Sequence, residues 1–399
     1  MADPHRLRSE GDVALFEELR EHPLVLRTMR ELEEHERRGP LGVRRQLLAT
    51  SLRLTETMSP SLATITRECR EALGVEIPLE TYVYASPHFN AACVKPEEGR
   101  LFIMLSSSLL EAFQGAELRF VMGHELGHFV FGHHDVPIGY LLRGEEKPPP
   151  ELALQLFAWS RYAEISADRA GAACARDSDA VARALFRLAS GLRGTTVELH
   201  IEDFAAQVDE MQIEDQKPGQ GAPMQDWFST HPFSPLRVKA LKHYAESELA
   251  REKGITVAEL EARTQTLMAL MEPSYLEGHD PIAETMRRLL FAGAIAIAAA
   301  SNGVSDVEIE AFEKFFGEGA FRDLDVDAIA ADLEARIADA RERVPHPRRV
   351  QVLHDLCVIA RADGHVDDDE LKLLRRIAQE LHVAQSLIDQ SIAGSLDLD

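Results

Sequence analysis

The sequence predicts a mainly helical α+β fold with one small sheet, followed by an all-α C-terminal part. Residues 10–58 place apolar side chains at mixed three- and four-residue spacing, which is the period of amphipathic helices. Residues 77–105 change to short runs of β-forming side chains. The elements that we expect after residue 105 are again helices.

The first elements are helices. Gly39-Pro40 divides residues 10–58 into two helices, because both residue types favour turns over helix interiors. A third helix is expected at residues 59–73, and Gly74 after it suits a helix C-cap. Residues 1–58 are therefore expected to form an N-terminal helical segment.

Three strands are predicted next, at residues 81–84, 92–94 and 101–105. The runs are rich in aromatic, β-branched and aliphatic side chains, as strands usually are. They predict a small sheet beside the helix that follows.

That helix carries the stretch His124-Glu125-Leu126-Gly127-His128. Residues four apart share one face of a helix, so both imidazoles can point at one metal ion while the carboxylate reaches a water beside it. This is the H-E-x-x-H arrangement of zinc hydrolases. The same letters also arise by chance in a chain rich in His and Glu, so the assignment needs a further ligand.

Glu164 supplies that ligand. It follows His128 by 36 positions, and Asp168 lies one helical turn beyond it. Two His and one Glu leave the fourth position of a zinc ion open for water, as catalytic zinc sites require. Asp168 is expected to accept a hydrogen bond from one liganding imidazole, and the sequence does not show which one.

These two helices resemble the M48 family of zinc metallopeptidases, whose signature is a helix of the HELGH kind followed by an E-x-x-x-D helix. Other stretches match the family in order and approximate spacing, namely Phe89–Ala92, Leu109–Leu110, Ala116–Leu118, Thr230–Pro232 and Arg237. The resemblance implies a zincin-type catalytic domain with a small sheet beside the zinc helix, and we place it at residues 59–250. It implies Zn²⁺ as cofactor, held by His124, His128 and Glu164.

The resemblance also implies the reaction, which is hydrolysis of peptide bonds by a zinc endopeptidase. Glu125 is expected to act as general base towards the attacking water and to pass the proton to the leaving amine. His231 is expected to donate to the oxyanion, although a His before Pro232 also suits the start of a helix. Arg237 either pairs with a carboxylate near the site or is exposed.

The expected substrate is a protein or a peptide. In zincins the edge strand of the sheet can accept an extended peptide through backbone hydrogen bonds, so this sheet either binds substrate in that way or is only a scaffold. Residues 216–225 have turn composition and form either a lid or a surface excursion.

Gly132-His133-His134 offers competing ligands after the zinc helix. His134 falls where a metzincin has its third His, but Phe131 occupies the position where that motif requires Gly. We therefore prefer Glu164 as the third ligand and interpret both His residues as helix-end residues.

The chain beyond residue 250 predicts a second, all-helical domain. A charged helix at residues 240–266 leads into it, and residues 251–280 are taken as a linker helix. Within residues 281–399, the stretches 297–308 and 359–370 repeat the order helix, Gly turn and capping box. This repeat resembles the TerB-like domain of tellurite-resistance proteins. We expect the domain to regulate the protease or to dock a protein partner.

The sequence does not decide whether the acidic residues of the second repeat bind a metal ion. They lack the order of an EF-hand, and acidic residues at a helix N-terminus already suit the cap and the macrodipole. The first repeat has Ser301-Asn302-Gly303 where the TerB-like family has Asp-Gly, which puts a metal role there in doubt. The cluster consists of Asp363, Asp367, Asp368, Asp369 and Glu370.

The composition limits the classes of binding partner and the cellular location that we expect. Acidic residues outnumber basic ones 67 to 43, for a net charge of −24, so nucleic acid or an anionic membrane would be repelled. The longest apolar run, residues 289–300, is too short to span a bilayer, and the N-terminus lacks the apolar core of a signal peptide. Four scattered cysteines suit a reducing compartment. We expect a cytoplasmic protein without a membrane span, although many M48 members carry transmembrane helices.

A second functional interpretation makes the TerB-like part the working half. The chain would then be an interaction or stress-response module in which proteolysis is minor and the zinc site is structural. A structural zinc site normally has four protein ligands, whereas this motif keeps an open position and a general base. The sequence therefore favours the enzyme.

Overall fold

The protein, described by a computed structural model, is mainly helical with one four-stranded sheet, which confirms the predicted α+β class. The structure describes residues 3–37, 39, 42–143, 148–193, 197, 200–215, 230–272, 275, 281–300, 332–361 and 366–393. These residues form two compact units. The first unit lies within residues 1–208 and 230–254, and the second lies within residues 209–229 and 255–399.

Three helices and a strand precede residue 58, where the sequence predicted two helices. A 3-10 turn, Pro4–Leu7, is followed by α1 (Glu10–Glu21), α2 (Pro23–Arg37), α3 (Val43–Thr50) and β1 (Leu52–Leu54). The side chain of Ser9 caps α1 by accepting a hydrogen bond from the amide of Asp12. α1 and α2 are separate because Pro23 has no amide hydrogen to continue α1 and suits the start of a new helix.

The sheet contains β1, β2 (Leu79–Tyr84), β3 (Ala91–Glu97) and β4 (Arg100–Ser106), in the order β1-β2-β4-β3. β2 runs parallel to β4, whereas β1 and β3 are antiparallel to their neighbours. The three predicted strands are confirmed, and β1 is an addition that is too short to show a strand pattern in the sequence. β3 lies at one edge, with β4 as its neighbour.

The structure also describes eight α-helices between residues 60 and 246. They are α4 (Pro60–Leu73), α5 (Ser107–Ala112), α6 (Gly115–Val130), α7 (Ile138–Arg143), α8 (Pro150–Ala175), α9 (Ser178–Ser190), α10 (Ile201–Asp215) and α11 (Ser234–Glu246). α4 confirms the third predicted helix, and its C-cap is Gly74 with a left-handed φ of 68°.

α6 and α8 form the centre of the first unit, because most of α6 is buried and α8 packs along it. Gly123 and Gly127 of α6 face α8 without room for a side chain. A Cβ on Gly123 would lie 2.8 Å from the Cβ of Cys174, and one on Gly127 would lie 2.8 Å from the Cβ of Ala170. Two glycines four residues apart thus allow the helix backbones to approach closely, which brings polar side chains of both helices to one place.

The second unit is a helical bundle. It contains α12 (Val257–Ala269), α13 (Pro281–Ala300), α14 (Leu333–Arg343), α15 (His346–Ala360), α16 (Asp368–Glu380) and α17 (Ser386–Ala393). α12 packs against α15 and α17, so the stretch expected as a linker helix, 251–280, contains a helix of this bundle. The predicted capping box of Asp367 and Glu370 is confirmed at the start of α16.

The prediction of one continuous helix over residues 240–266 was wrong. α11 ends at Glu246 and α12 begins at Val257, and the ten residues between them include a turn that contains Gly254. A Cβ on Gly254 would lie 2.5 Å from the carbonyl oxygen of Glu246, so the turn folds back closely onto the end of α11. The charged composition of this stretch gives no indication of this close backbone approach.

Some predictions concern residues outside the described ranges. These are the candidate lid at residues 216–225, the turn and cap of the first TerB-like repeat from Ser301 onward, and Asp363 of the acidic cluster. Among the helices that the structure describes, none combines the length and the apolar character needed to cross a bilayer.

Candidate metal centre

Three side chains of α6 and α8 converge as the sequence predicted. His124 and His128 lie one turn apart on α6, and Glu164 faces them from α8. The Nε2 atoms of the two imidazoles are 3.2 Å apart, and the oxygens of Glu164 lie 3.5 Å from Nε2 of His124 and 3.4 Å from Nε2 of His128. One ligand atom from each of the three residues lies within 4.8 Å of the other two, so a single metal ion can contact all three.

Glu164 is ionised around neutral pH. Burial alone would raise the pKa of its carboxyl, but the charges of His124, Arg237 and His128 hold the pKa well below its usual value. For His128 burial would lower the pKa, yet the hydrogen bond and charge of Glu164 raise it overall. The carboxylate and the imidazoles therefore stabilise each other in this buried place.

Asp168 holds His124, which answers the question that the sequence left open. Its Oδ1 lies 3.0 Å from Nδ1 of His124, and its side chain is fully buried. Because a carboxylate can only accept, Nδ1 of His124 carries a proton, and in the neutral imidazole Nε2 keeps its lone pair for a metal.

Arg237 is buried and pairs with Asp168, which decides between the two alternatives for this residue. Its Nε and Nη2 donate to the two oxygens of Asp168 at 2.7 and 2.6 Å. Burial would raise the pKa of Asp168, but the charge and hydrogen bonds of Arg237, together with those of His124, keep it below the usual value.

His133 contacts a candidate ligand instead of joining the ligand group. Its Nδ1 lies 2.8 Å from Nδ1 of His128, and its Nε2 lies 2.9 Å from Oδ2 of Asp12. His134 follows in the same 3-10 turn, and burial lowers its pKa to about 4. Neither residue belongs to the metal-binding group found among the described residues.

Asp12 is a site residue that sequence reasoning missed. It lies in the first turn of α1, where an acidic residue is already accounted for by the helix dipole. Its partner His133 is 121 residues away, so no local pattern in the sequence links the two.

Glu125 is turned towards the sheet. Its Oε2 accepts a hydrogen bond of 2.7 Å from the backbone amide of Cys93, a residue of the edge strand β3. The amide of Cys93 is thereby directed at the carboxylate rather than at β4. Burial, with the charge of Glu125, raises the pKa of the Cys93 thiol well above its usual value.

His231 lies at the rim of the site. Its Nε2 is 3.5 Å from Oε1 of Glu164, although its side chain is 61% exposed. The hydroxyl of Ser160 on α8 donates to the carbonyl of Thr230, which ties the segment before α11 to the ligand-bearing helix. The structure thus brings together all six residues predicted for the site.

Family comparisons agree with this geometry. The model of peptidase family M48 matches residues 57–142 and 151–245, and the model of tellurite resistance protein TerB matches residues 287–391. The chain therefore carries an M48 peptidase domain followed by a TerB domain.

Several curated proteins are similar to the first part of the chain. The plastoglobule-localized metallopeptidase 48 of Arabidopsis thaliana is 30% identical over 40% of this chain and 49% of its own length. The HtpX protease homologue of Ralstonia nicotianae is 27% identical over 49% of this chain and 77% of its own length. That of Polynucleobacter necessarius is 25% identical, over 50% and 78% respectively. The chain thus spans about half the length of the Arabidopsis relative, and no solved structure matches it significantly.

Proposed function

We propose that the protein is a zinc-dependent endopeptidase whose metal ligands are His124, His128 and Glu164. The observation that carries the proposal is the convergence of their three donor atoms, with Glu125 beside them on α6. Two imidazole nitrogens and one carboxylate oxygen suit zinc, and three protein ligands leave one position for chemistry. The M48 domain and the similarity to metallopeptidases support the same reaction.

The residues around the ligands suit peptide hydrolysis. Zinc, when bound, lowers the pKa of a coordinated water towards 7 and polarises the substrate carbonyl. Glu125 takes a proton from the attacking water and passes it to the leaving amine. The Cys93 amide holds Oε2 of that carboxylate, so we assign the proton to Oε1.

Two further residues act around this centre. Asp168 keeps His124 in the tautomer that presents Nε2, and Arg237 keeps Asp168 ionised. His231 reaches the ligand group from the solvent side, and we assign it the role of hydrogen-bond donor to the oxyanion.

We infer that the substrate is a protein or peptide bound in extended form along β3. β3 is an edge strand, and its Cys93 amide faces Glu125. A peptide that pairs with this edge therefore passes the general base. The register of such pairing would be set by the hydrogen-bonding groups of β3.

For the second unit we propose a regulatory or partner-docking role, and for the whole protein a cytoplasmic location. Its cysteines Cys69, Cys93, Cys174 and Cys357 are free thiols, as suits a reducing compartment. The net charge of −24 disfavours nucleic acid as a partner.

The proposal is tested by incubating the purified protein with one unfolded and one folded protein, with and without a chelator. We expect new internal termini in the unfolded protein, their loss with the chelator and their return when Zn²⁺ is added, all read by mass spectrometry. Elemental analysis should find about one zinc per chain, in keeping with one three-ligand site. Full zinc retention by a His124→Ala, His128→Ala double variant would refute the ligand assignment.

A further inference from the structure

Asp12 lies outside the residues that match the M48 family, yet it is fully buried in the first unit. Several donors surround its carboxylate. Arg8 donates from Nε and Nη2 at 2.9 and 3.0 Å, and Trp159 donates from Nε1 at 3.0 Å. Ser166 donates from Oγ at 2.8 Å, and Nε2 of His133 lies at 2.9 Å.

These contacts fix the direction of a chain of hydrogen bonds. The carboxylate of Asp12 can only accept, so Nε2 of His133 carries the proton and donates to it. Nδ1 of His133 is then an acceptor, and its partner at 2.8 Å is Nδ1 of His128. Nδ1 of His128 must therefore carry a proton, so in the neutral imidazole that a metal requires, Nε2 of His128 keeps its lone pair on the side of Glu164.

The two candidate ligands are thus held in the same tautomer by different means. His124 donates directly to Asp168 of α8, whereas His128 donates through His133 to Asp12 of α1. Each path of hydrogen bonds ends at a buried carboxylate. The two carboxylates lie near opposite ends of the first 170 residues.

The position of Asp12 is itself well defined. Ser9, its helix cap, donates its amide to Oγ of Ser166 at 3.0 Å. A Cβ on Gly11 would lie 2.5 Å from the ring of Tyr162, so α1 lies directly against α8 at this point. The N-terminal helix is therefore fixed to the helix that carries Glu164.

We propose that the N-terminal segment belongs to the metal centre, with Asp12 acting through His133 as a positioning residue for His128. This inference rests on the proposed role of His128 as a ligand. Loss of either partner would free the His128 ring to rotate or to move its proton to Nε2, where it would oppose metal binding. Partners of this kind typically contribute 10- to 100-fold to metal affinity.

The test measures zinc affinity by competition with a chromophoric chelator in the full-length protein. Asp12→Asn replaces one acceptor oxygen by an amide that points its hydrogens at donors, so we expect a 10- to 100-fold loss of affinity. His133→Phe, which keeps a ring but removes both the donor and the acceptor of the same chain of hydrogen bonds, should lose a similar factor. The double variant should lose no more than the worse single variant, because both changes break one path.

The matched control is Asp135→Asn, which makes the same charge change at an exposed position two residues after His133. It should bind zinc as the wild type does. The visible spectrum of the Co²⁺-substituted protein should change in Asp12→Asn and stay unchanged in Asp135→Asn, which a general loss of stability would not produce.

Wild-type affinity and an unchanged Co²⁺ spectrum in both Asp12→Asn and His133→Phe would overturn this inference. The reference variant His128→Ala separates that outcome from failure of the proposed function. If His128→Ala loses zinc while Asp12→Asn and His133→Phe keep it, only the positioning role is wrong. If His128→Ala keeps wild-type affinity, the ligand assignment is wrong and this inference falls with it.

Discussion

Asp168 binds two partners at once, His124 and Arg237, so replacing it affects both. It accepts from Nδ1 of His124 and from two nitrogens of Arg237, and all three side chains are almost fully enclosed. A buried ion pair of this kind is destabilising to break, because the remaining charge keeps its desolvation penalty without its partner.

Asp168→Asn should lower the free energy of unfolding of the metal-free protein by about 3 kcal/mol, because it leaves the charge of buried Arg237 facing a neutral amide. The matched control is Glu202→Gln, which removes an exposed partner of Lys242 at 2.7 Å and should change stability by less than about 1 kcal/mol. Urea unfolding measures both values. Equal losses of stability in the two variants would mean that burial does not make the Asp168–Arg237 pair more costly to break than the Glu202–Lys242 pair.

His346 at the start of α15 provides a pH-dependent test. Burial lowers its pKa to about 4, while Nε2 donates to the carbonyl of His382. The unfolded state binds a proton near pH 6.5 and the folded state does not, so stability is full above pH 6.5 and falls towards pH 4. From pH 7.5 to 5 the wild type should lose about 2 kcal/mol more than His346→Gln.

Urea unfolding of the intact protein at the two pH values measures this difference. His354→Gln, at a half-buried position on the same helix, serves as the control and should follow the wild type. If His346→Gln keeps the full pH dependence of the wild type, His346 is not the residue responsible.

At the scale of elements, the packing of α6 on α8 decides whether the ligands meet. Gly127 lies between His124 and His128 in the sequence and faces Ala167 and Ala170 of α8. The H-E-x-x-H spacing alone places two imidazoles on one face of a helix. The missing side chain at Gly127 is what allows Glu164 to approach them.

Gly127→Ala should separate the two helices, because its Cβ would lie 2.8 Å from the Cβ of Ala170 and 3.2 Å from the Cα of Ala167. We expect a loss of about 1–3 kcal/mol in stability and weaker zinc binding. Gly139→Ala in α7 has no neighbour within 4 Å and should be neutral or slightly stabilising. Thermal unfolding and chelator competition compare the two, and equal zinc affinity would contradict the role assigned to Gly127.

For the whole molecule, local patterns in the sequence were enough to find most of the centre. His124, Glu125 and His128 follow a helical spacing, and Glu164 and Asp168 repeat it. Asp12 could not be found in this way, because its contact with His133 depends on how α1 packs against α8. The same holds for the turn at Gly254, where a close backbone approach leaves no sign in the composition.

Where the second unit begins in the sequence also depends on packing. α12 carries buried Leu260, Leu267 and Met268 and packs against α15 and α17, so a chain cut near residue 275 would leave its apolar face uncovered. A chain that ends at Gly254 avoids this problem. The charge pattern that suggested a linker does not report which neighbours a helix has.

The chain truncated after Gly254 should keep about one zinc and cleave an unfolded peptide, because the proposed ligands all lie in the first unit. Its basal rate or its choice among folded substrates should change if the TerB domain regulates the protease. Elemental analysis and mass spectrometry of new termini measure both. An identical rate and substrate set would leave the TerB domain without that role.

The most direct measurement of the central claim compares zinc content and cleavage rate in Glu125→Gln and the wild type. Glu125 is not among the proposed ligands and keeps its place through the Cys93 amide, so the variant should fold and hold zinc as the wild type does. Because its amide cannot take the proton of the attacking water, cleavage should slow at least about a hundredfold. Cleavage at the wild-type rate by a zinc-loaded Glu125→Gln variant would contradict the proposed mechanism.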